Sequence, residues 1–341
     1  MVKFATQTLS SMQYVALAEP AGTVRHLPFY LAMEEYVLAE CMDEASDDCF
    51  FIWQVHPTVI MGRHQIGSRE IDFQYCRSHG IEVYRRRSGG GCVFADMNNL
   101  MFSYLTRRPD KVSGTYSRYT SMVVRMLRSL GLDASDNSRN DILIGGRKVS
   151  GNAYYLTDRG SIVHGTMLFD TDTSLMAGAL TPSRSKLASK GVDSVSARIT
   201  TLNRHLSIDI DEFKNYARRH MCGSEIVLGD ADISAIERLS EPYYSPEWLT
   251  GFDSRADRRE SQRIDGAGEF IPIVTLNPVT GLISRVSLAG DFFNTADVDA
   301  LLQRLHGVAP TRQAIADAIC GIDISAVIPG LDNENFIDLI I

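Results

Sequence analysis

The stretch from Arg85 to Asn99, RRRSGGGCVFADMNN, combines clustered positive charge with three consecutive glycines. Glycine loses much conformational entropy on folding and weakens a strand, so such a run needs a specific reason. The backbone N–H groups of consecutive glycines can curl into a concave nest that binds anions. A flanking arginine adds a planar fork that grips a carboxylate or a phosphate through two hydrogen bonds. The stretch therefore predicts a site where a small anionic ligand approaches the backbone closely.

A second glycine-containing segment, GRKVSGNAYY, carries Lys148 on a predicted strand. Its compact ammonium group, together with the glycine run, suits a carboxylate and a nucleotide α-phosphate that must be brought together although both are negative. The segment does not have the spacing of the phosphate loop GxxxxGK[ST], and the dinucleotide fingerprint GxGxxG does not occur. The sequence therefore predicts nucleotide binding by a different arrangement.

Each of these residues also has a purely structural interpretation. A glycine run beside a strand can be a bulge or a hairpin loop, and a strand lysine such as Lys148 is usually solvated. His164 can be a hydrogen-bonded turn histidine, and Cys92 a small apolar strand residue. Taken one at a time, the residues leave both interpretations open.

Hydrophobic periodicity predicts the elements that position these residues. Asn98 and Asn99 predict a hairpin turn, and residues 140–170 predict a β-meander whose middle strand carries Lys148. The remaining predicted helices cover residues 28–40, 116–131, 209–221, 231–239, 297–307 and 312–320, and the remaining predicted strands cover residues 49–55, 58–62, 81–86, 92–95 and 101–106. A C-terminal hairpin is predicted to turn at residues 277–281, and apolar strand residues Val83, Val93 and Met167 are predicted to wall an apolar slot.

Composition bounds the class of protein. The net charge of −8 and the pI near 5.5 argue against a dedicated nucleic-acid binder. No apolar run approaches the ~20 residues that a membrane span needs, and the N-terminus lacks a secretory pattern. The six cysteines show no metal-like spacing, which favours a reduced, cytoplasmic setting. We expect a domain over residues 1–252, a charged linker and hinge over 253–267, and a small domain over 268–341.

The order of the motifs resembles the lipoate–protein ligase family. RRRSGGGCVFADMNN, RND, GRKVSGNAY and HGT match the family's pattern RRxSGGGxVxHDxGN, RND, GRKxSGxA and HHGT. The resemblance covers most of residues 28–250 and includes LAMEEYVL, IWQVHPTVIMGRHQ and LASKGVDSVSARITTL. The C-terminal segment is similar to the family's accessory domain.

The resemblance implies an α/β (α+β) fold, in which a large mixed-sheet catalytic domain of the biotin/lipoate ligase type precedes a small C-terminal α+β accessory domain. It implies ATP-dependent activation of lipoate to lipoyl-AMP with release of pyrophosphate, and then transfer to a lysine of an acceptor lipoyl domain. ATP and Mg²⁺ are the implied cofactors, and lipoate or octanoate the implied substrate. The implied partners are the lipoyl domains of 2-oxoacid dehydrogenase E2 subunits and the glycine cleavage H protein, with no nucleic acid and no membrane.

By resemblance, Lys148 is the catalytic lysine that contacts the lipoate carboxylate and the α-phosphate, and Asp141 is a Mg²⁺ contact. The implied ATP and lipoyl-AMP site consists of Arg86, Ser88, Gly89, Gly90, Gly91, Cys92, Val93, Phe94, Asn140, Asp141, Lys148, Gly151, Ala153 and His164. The sequence departs from the family pattern at Ile66, Ala95, Asn98 and Val163, which bears on substrate preference.

Three alternatives remain from the sequence. An ATP-independent octanoyl or lipoyl transferase of the same fold needs a cysteine nucleophile, and the segment DASDNSRNDILIG before GRK contains none. A non-catalytic binding protein on the same fold is disfavoured because Lys148 and RND are retained. A biotin ligase would carry a GRGRxGR-type loop, which does not occur.

Overall fold

The computed structural model describes residues 12–20, 22–43, 48–108, 112–137, 140–181, 198–251 and 260–341. Up to residue 251 the elements are β1 (Gln13–Leu17), α1 (Leu27–Tyr36), β2 (Cys49–Trp53), β3 (Thr58–Met61), α2 (Gly67–Glu70), α3 (Phe73–Ser78), β4 (Glu82–Arg85), β5 (Val93–Ala95), β6 (Asn99–Thr106), α4 (Val112–Ser129), β7 (Ala134–Asp136), β8 (Asp141–Ile144), β9 (Arg147–Leu156), β10 (Ser161–Leu168), α5 (Thr173–Ala179), α6 (Ile210–Met221), β11 (Ser224–Leu228), α7 (Asp230–Ser240) and α8 (Pro246–Thr250). The C-terminal elements are β12 (Gln262–Ile264), β13 (Gly268–Leu276), β14 (Ile283–Gly290), α9 (Val298–Gln303), α10 (Arg312–Ala318) and α11 (Asn333–Ile340).

An eight-stranded mixed sheet organises the larger part of the chain, with the strand order β11-β1-β2-β6-β10-β9-β8-β7. Strand β1 is parallel to both β11 and β2, and the other neighbours are antiparallel. Strands β8, β9 and β10 follow one another as antiparallel neighbours, which confirms the predicted meander. A three-stranded sheet, β4-β3-β5, carries the ends of the glycine run.

Side chains alternate across the sheet and enter two cores. Phe102 and Tyr104 of β6 pack into one core with helices α4 and α6, whereas Met101 and Leu105 pack into the other with α1 and α7. This alternation follows from the two-residue period of a strand that is covered on both faces. The large sheet is therefore sandwiched between two helical layers.

The predicted hairpin at Asn98 and Asn99 is wrong. Strand β5 pairs with β3 in the small sheet, whereas β6 pairs with β2 and β10 in the large one. The Asp96 side chain accepts a hydrogen bond from the Asn98 N–H at 3.0 Å, and Asn99 Nδ2 donates to the Phe94 carbonyl at 3.1 Å. These hydrogen bonds stabilise the segment in which the chain passes from the small sheet to the large one. Two asparagines in a row therefore did not mark a hairpin between β5 and β6.

The C-terminal part has its own core, in which β13 and β14 pack against helices α9, α10 and α11. The predicted hairpin at residues 277–281 is confirmed, and residues 333–340 form helix α11. Residues 253–259 of the predicted linker lie outside the described residues, and residues 262–264 form strand β12. The mixed α/β class with a small C-terminal α+β part is confirmed. Within the described ranges, no helix has the length and apolarity to cross a bilayer.

Candidate active site

Lys148 forms an ion pair with Asp141 across the β8–β9 hairpin. Its Nζ lies 2.8 Å from Asp141 Oδ1, and the Asp141 side chain is only 2% exposed. A β-bulge between Ile142 and Leu143 shifts the register of the hairpin next to this pair. The other carboxylate oxygen, Oδ2, accepts a hydrogen bond from the Arg198 guanidinium. One buried carboxylate therefore holds two cations at the predicted site.

Backbone pairing brings Arg198 to this position although it is fifty residues away from Lys148 in the sequence. Ile199 forms a parallel bridge with Lys148, and the Thr200 N–H donates to the Lys148 carbonyl at 2.8 Å. The Arg198 side chain is 26% exposed and that of Lys148 is 19% exposed. Strand β9 carries Lys148 and pairs with the backbone that follows Arg198. Solvent reaches both side chains.

Gly151 makes room for the lysine. A Cβ atom at Gly151 would lie 2.4 Å from Lys148 Nζ, which is closer than real side-chain atoms approach. Asn140 and Asn152 brace the same hairpin, since the Nδ2 group of each donates to the carbonyl of the other at 3.0 and 3.1 Å. Gly151 and Asn140, both predicted site residues, therefore lie beside Lys148.

A polar cavity of about 240 Å³ lies next to this cluster. Asn137, one of its lining residues, has its Nδ2 3.3 Å from Asp141 Oδ2. Burial, and then the charge of Asp141, raise the pKa of Tyr116, another lining residue, so its hydroxyl stays protonated. The cavity is lined by Tyr116, Ser117, Thr120, Asp136 and Asn137. Hydroxyl groups, an amide and the Asp136 carboxylate thus surround a space beside the two cations.

Arg86 shapes the glycine run from inside. Its Nε donates to Ser88 Oγ at 2.9 Å, and its terminal nitrogens donate to the carbonyls of Ile60, Gly89 and Gly91. Burial lowers the pKa of Arg86 to about 10, so it remains charged at neutral pH. The sequence suggested that this guanidinium grips the ligand. In this structure it holds the loop, because backbone carbonyls occupy its fork, and a contact of Arg86 with ATP stays a prediction.

The two flanking arginines also bind protein atoms. Arg85 is 1% exposed and Arg87 pairs with Glu35 at 3.2 Å while its guanidinium lies over the Tyr243 ring. Arg85 donates to the carbonyls of Gly62, Arg63, Gln65, Trp248 and Leu249. Arg85 and Arg86 bind backbone carbonyls because a buried guanidinium needs many acceptors and the surrounding loops supply them. Anion binding by a flanking arginine stays a prediction.

The C-terminal part approaches the glycine run through Phe292, Phe293 and Asn294, here called the small-domain contact. The Gly90 N–H donates to the Phe292 carbonyl at 3.0 Å. A Cβ atom at Gly89 would lie 2.5 Å from that carbonyl oxygen, and one at Gly90, whose φ is +88°, would lie 2.7 Å from the Phe293 ring. In this structure the Phe292 carbonyl and the Phe293 ring make the close approach to Gly89 and Gly90, and anion binding by the glycine run stays a prediction.

His64 lies buried in the same contact. Its ring stacks on Phe292 with centroids 4.5 Å apart, and its Nε2–H donates to Asn294 Oδ1 at 3.2 Å. Burial, reinforced by the charge of Arg63, lowers the pKa of His64 to about 4. The contact is therefore built around a neutral imidazole.

His164 links the glycine run to helix α1. Its Nε2 lies 2.7 Å from Ser88 Oγ and its Nδ1 lies 2.9 Å from Glu34 Oε2, while Ser103 Oγ donates to Glu34 Oε1. A hydroxyl, an imidazole and a carboxylate in a row resemble a nucleophile and its base. Ser88 is 1% exposed, however, and accepts a hydrogen bond from Arg86. The network therefore positions the glycine run.

The other predicted residues fall on either side of this network. Ala153 lies opposite His164 in the β9–β10 ladder. Cys92 and Val93 are half-buried and pack against different cores, and Phe94 is 2% exposed within the first core. Phe94 therefore supports the loop from inside.

The predicted walls of an apolar slot do not share one surface. Val83 and Met167 belong to the first core and Val93 packs on the second, and Met167 is completely buried. Strand register explains the separation of the two valines, since Val83 pairs with Val59 and Val93 with Ile60, and these consecutive residues of β3 point to opposite faces.

Sequence reasoning missed Glu34, His64 and Arg198. Glu34 is the charged residue within the otherwise uncharged buried run Leu27–Glu34, and that position was its signal. His64 and Arg198 lay within the quoted segments IWQVHPTVIMGRHQ and LASKGVDSVSARITTL. Their partners are far away in the sequence, so no local pattern identified them.

A family model described as the lipoyl protein ligase A/B catalytic domain matches residues 27–222. The chain belongs to the lipoate–protein ligase family. A second model, described as the bacterial lipoate protein ligase C-terminus, matches residues 257–340. The predicted family is confirmed.

Relatives of the family match nearly the whole chain. Lipoate-protein ligase LplJ of Bacillus subtilis is 31% identical over 320 residues, which cover 91% of this chain and 95% of LplJ. Lipoate–protein ligase 1 of Staphylococcus aureus is 32% identical over 316 residues, with 91% and 95% covered.

Solved structures of the family share the fold. LipL1 of P. falciparum, in complex with lipoate, superposes with a TM-score of 0.74 at 16% identity and covers 96% of this chain and 97% of its own. A lipoate-protein ligase A bound with ATP gives a TM-score of 0.61 at 24% identity, covering 70% and 99%. Because both sequence identities are below 25%, these superpositions show that the fold is shared and nothing more.

Proposed function

We propose that this chain is a lipoate–protein ligase that activates lipoate with ATP and transfers the lipoyl group to a lysine of an acceptor lipoyl domain. The observation that carries the proposal is the Lys148 ammonium group, 2.8 Å from Asp141 Oδ1 beside a polar cavity. This arrangement lies in a chain whose relatives, at about one third identity, are named lipoate–protein ligases.

The reaction has two steps. In the first, a carboxylate oxygen of lipoate attacks the α-phosphorus of ATP, the bond to the bridging oxygen of the β-phosphate breaks, and pyrophosphate leaves. In the second, the acceptor lysine amine attacks the acyl carbon of lipoyl-AMP, an amide bond forms, AMP leaves, and the amine proton passes to solvent. The first step brings negatively charged oxygens together, whereas in the second a neutral amine attacks the acyl carbon of the mixed anhydride.

Lys148 suits the first step because a cation between two anions lowers the electrostatic cost of their approach. Asp141 fixes the ammonium group, and Gly151 leaves the space that it occupies. The position is held by a strand, so little reorganisation is needed when the substrates bind. The buried Ser88–His164–Glu34 network gives the glycine run the same rigidity.

Asp141 is the carboxylate that would hold Mg²⁺ here, in place of one of the two cations with which its oxygens pair in this structure. Across the described residues, no three His, Cys, Asp or Glu side chains are grouped to hold a metal ion. One carboxylate together with substrate phosphates is, however, an ordinary way of binding Mg²⁺. When bound, the ion would neutralise phosphate charge, and Asp141 would be its protein ligand.

The relatives support the choice of substrates and partner. LipL1 was solved in complex with lipoate and a ligase A was solved with ATP. A bi-partite lipoate protein ligase from Thermoplasma acidophilum was studied with its E2 lipoyl domain. We extend these to lipoate, ATP, and the lipoyl domains of E2 subunits and the H protein. All six cysteines are thiols, which supports a cytoplasmic location.

The test is to incubate the purified chain with lipoate, ATP, Mg²⁺ and an apo lipoyl domain, and to measure the intact mass of the acceptor and the pyrophosphate released. We expect a lipoyl mass increase that requires ATP. Cys92→Ser should retain this activity. Transfer from an acyl donor without ATP, abolished in Cys92→Ser, would replace the ligase by a transferase.

A further inference from the structure

Arg198 shares Asp141 with the catalytic lysine. We propose that Arg198 is a second substrate-binding residue, which leaves Asp141 Oδ2 and binds an oxyanion of the substrate when the ligand enters. This inference rests on the proposed function, because it assigns to Arg198 the phosphate or carboxylate that the ligase reaction uses. It adds a residue to the site that the sequence motifs did not mark.

The geometry separates the two cations. Lys148 takes Oδ1 of Asp141 and Arg198 takes Oδ2, so the guanidinium can leave without breaking the lysine pair. The carboxylate is 2% exposed, whereas the Arg198 side chain is 26% exposed. A ligand therefore reaches the guanidinium from solvent.

The backbone keeps the guanidinium within reach of the reacting groups. The parallel bridge between Ile199 and Lys148, and the hydrogen bond from the Thr200 N–H to the Lys148 carbonyl, fix the chain immediately after Arg198. Only the side chain needs to rotate. Asp141 thus holds the Arg198 side chain close to the reacting groups until a ligand oxyanion replaces Oδ2 as its partner.

The chemistry of the two cations is complementary. The planar fork of an arginine grips two oxygens of one phosphate or carboxylate, whereas an ammonium group acts as a compact charge between oxygens. Adenylation requires both kinds of contact, because one anionic group must be held while another approaches it. Arg198 would hold an oxyanion, and Lys148 would bridge the reacting pair.

The experiment compares Arg198→Met and Arg198→Lys with Arg147→Met. Arg147 is exposed and precedes Lys148 on the same strand. Arg147→Met therefore removes one positive charge, as Arg198→Met does, but leaves the ion pairs of Asp141 in place. Calorimetric titration with ATP and with lipoate, in separate arms, measures binding without turnover. Pyrophosphate release then gives KM for ATP and kcat.

We expect Arg198→Met to weaken binding at least tenfold in the arm whose anion Arg198 holds, as expected for a charge-assisted hydrogen bond. The KM for ATP should rise if that arm is ATP. Arg198→Lys should recover only part of this loss, because the charge is kept while the two-oxygen fork is lost, and Arg147→Met should match the wild type.

Unchanged affinity for both ligands in folded Arg198→Met would overturn the proposal. So would equal losses in Arg198→Met and Arg198→Lys that appear in kcat alone, since a structural role would produce that pattern. If the wild type bound ATP but modified no acceptor, the proposed function would fail, whereas a weakened ATP titration in Arg198→Met would still support the binding role.

Discussion

The small-domain contact should weaken in acid because His64 must stay neutral within it. His64 is enclosed by Phe292 and Asn294 with the positive charge of Arg63 nearby, and its pKa is lowered to about 4. In the unfolded chain the same group titrates near its ordinary value of 6.5. Between these two pKa values His64 is protonated in the unfolded state and neutral in the folded state. The free energy of unfolding therefore falls as the pH drops from 6.5 towards 4.

The magnitude follows from the two pKa values. Each pKa unit corresponds to about 1.4 kcal/mol, and pH 5 lies about 1.5 units below the unfolded value, so the loss between pH 7 and pH 5 is roughly 2 kcal/mol. Above pH 6.5 the contribution vanishes, because both states are neutral. Below pH 4 the loss stops growing, because both states are protonated.

The assay is urea unfolding at pH 7, 6 and 5, in wild type and in two variants. His64→Phe keeps a ring to stack on Phe292, and His64→Gln keeps a hydrogen-bond donor for Asn294, but neither titrates. Other groups also respond to acid, so only the difference in slope between wild type and each variant is used. We expect about 2 kcal/mol of extra loss in wild type. Parallel pH profiles in all three proteins would refute the role of His64.

Three further substitutions test how the site is built. Gly151→Ala should displace Lys148 and slow lipoyl-AMP formation by roughly 10- to 100-fold with unchanged melting, and a normal rate would show that the lysine has other room. Gly90→Ala should lower the free energy of urea unfolding by about 2 kcal/mol, since it places a side chain on a residue with left-handed backbone and against the Phe293 ring. An unchanged urea midpoint would contradict the close contact. Arg86→Met should lose at least ~3 kcal/mol of stability, because several carbonyls lose their hydrogen-bond donor. Arg86→Lys should restore little of this stability. A melting temperature near that of the wild type in either variant would count against the loop-holding role.

Local pattern predicted the strands well where neighbours in sequence are neighbours in space. The β-meander and the place of Lys148 on its middle strand are confirmed, because successive antiparallel strands leave a direct signature in alternation and turns. The turn at Asn98 and Asn99 failed for the opposite reason. Its flanking strands belong to different sheets, and pairing with β2, β3 and β10 is decided by long-range packing.

The chemistry of the glycine run was predicted only in part. Glycines in a row do mark a close approach, but no sequence pattern distinguishes a ligand from the Phe292 carbonyl and the Phe293 ring. Arginines beside glycines suggested anion binding, whereas Arg85 and Arg86 are buried among backbone carbonyls. Charge alone does not say which way a guanidinium points, because the acceptors come from loops distant in the chain.

The most direct measurement of the central claim is single-turnover formation of lipoyl-AMP and pyrophosphate by Lys148→Ala, Lys148→Arg and the wild type, with melting as the check of folding. The ammonium group held by Asp141 is predicted to stabilise the charge that develops between carboxylate and α-phosphate. We predict that Lys148→Ala loses at least ~100-fold in rate. Lys148→Arg should also fail, because a broad fork does not replace a compact charge between two anions. Near-normal lipoyl-AMP formation by folded Lys148→Ala would contradict the account.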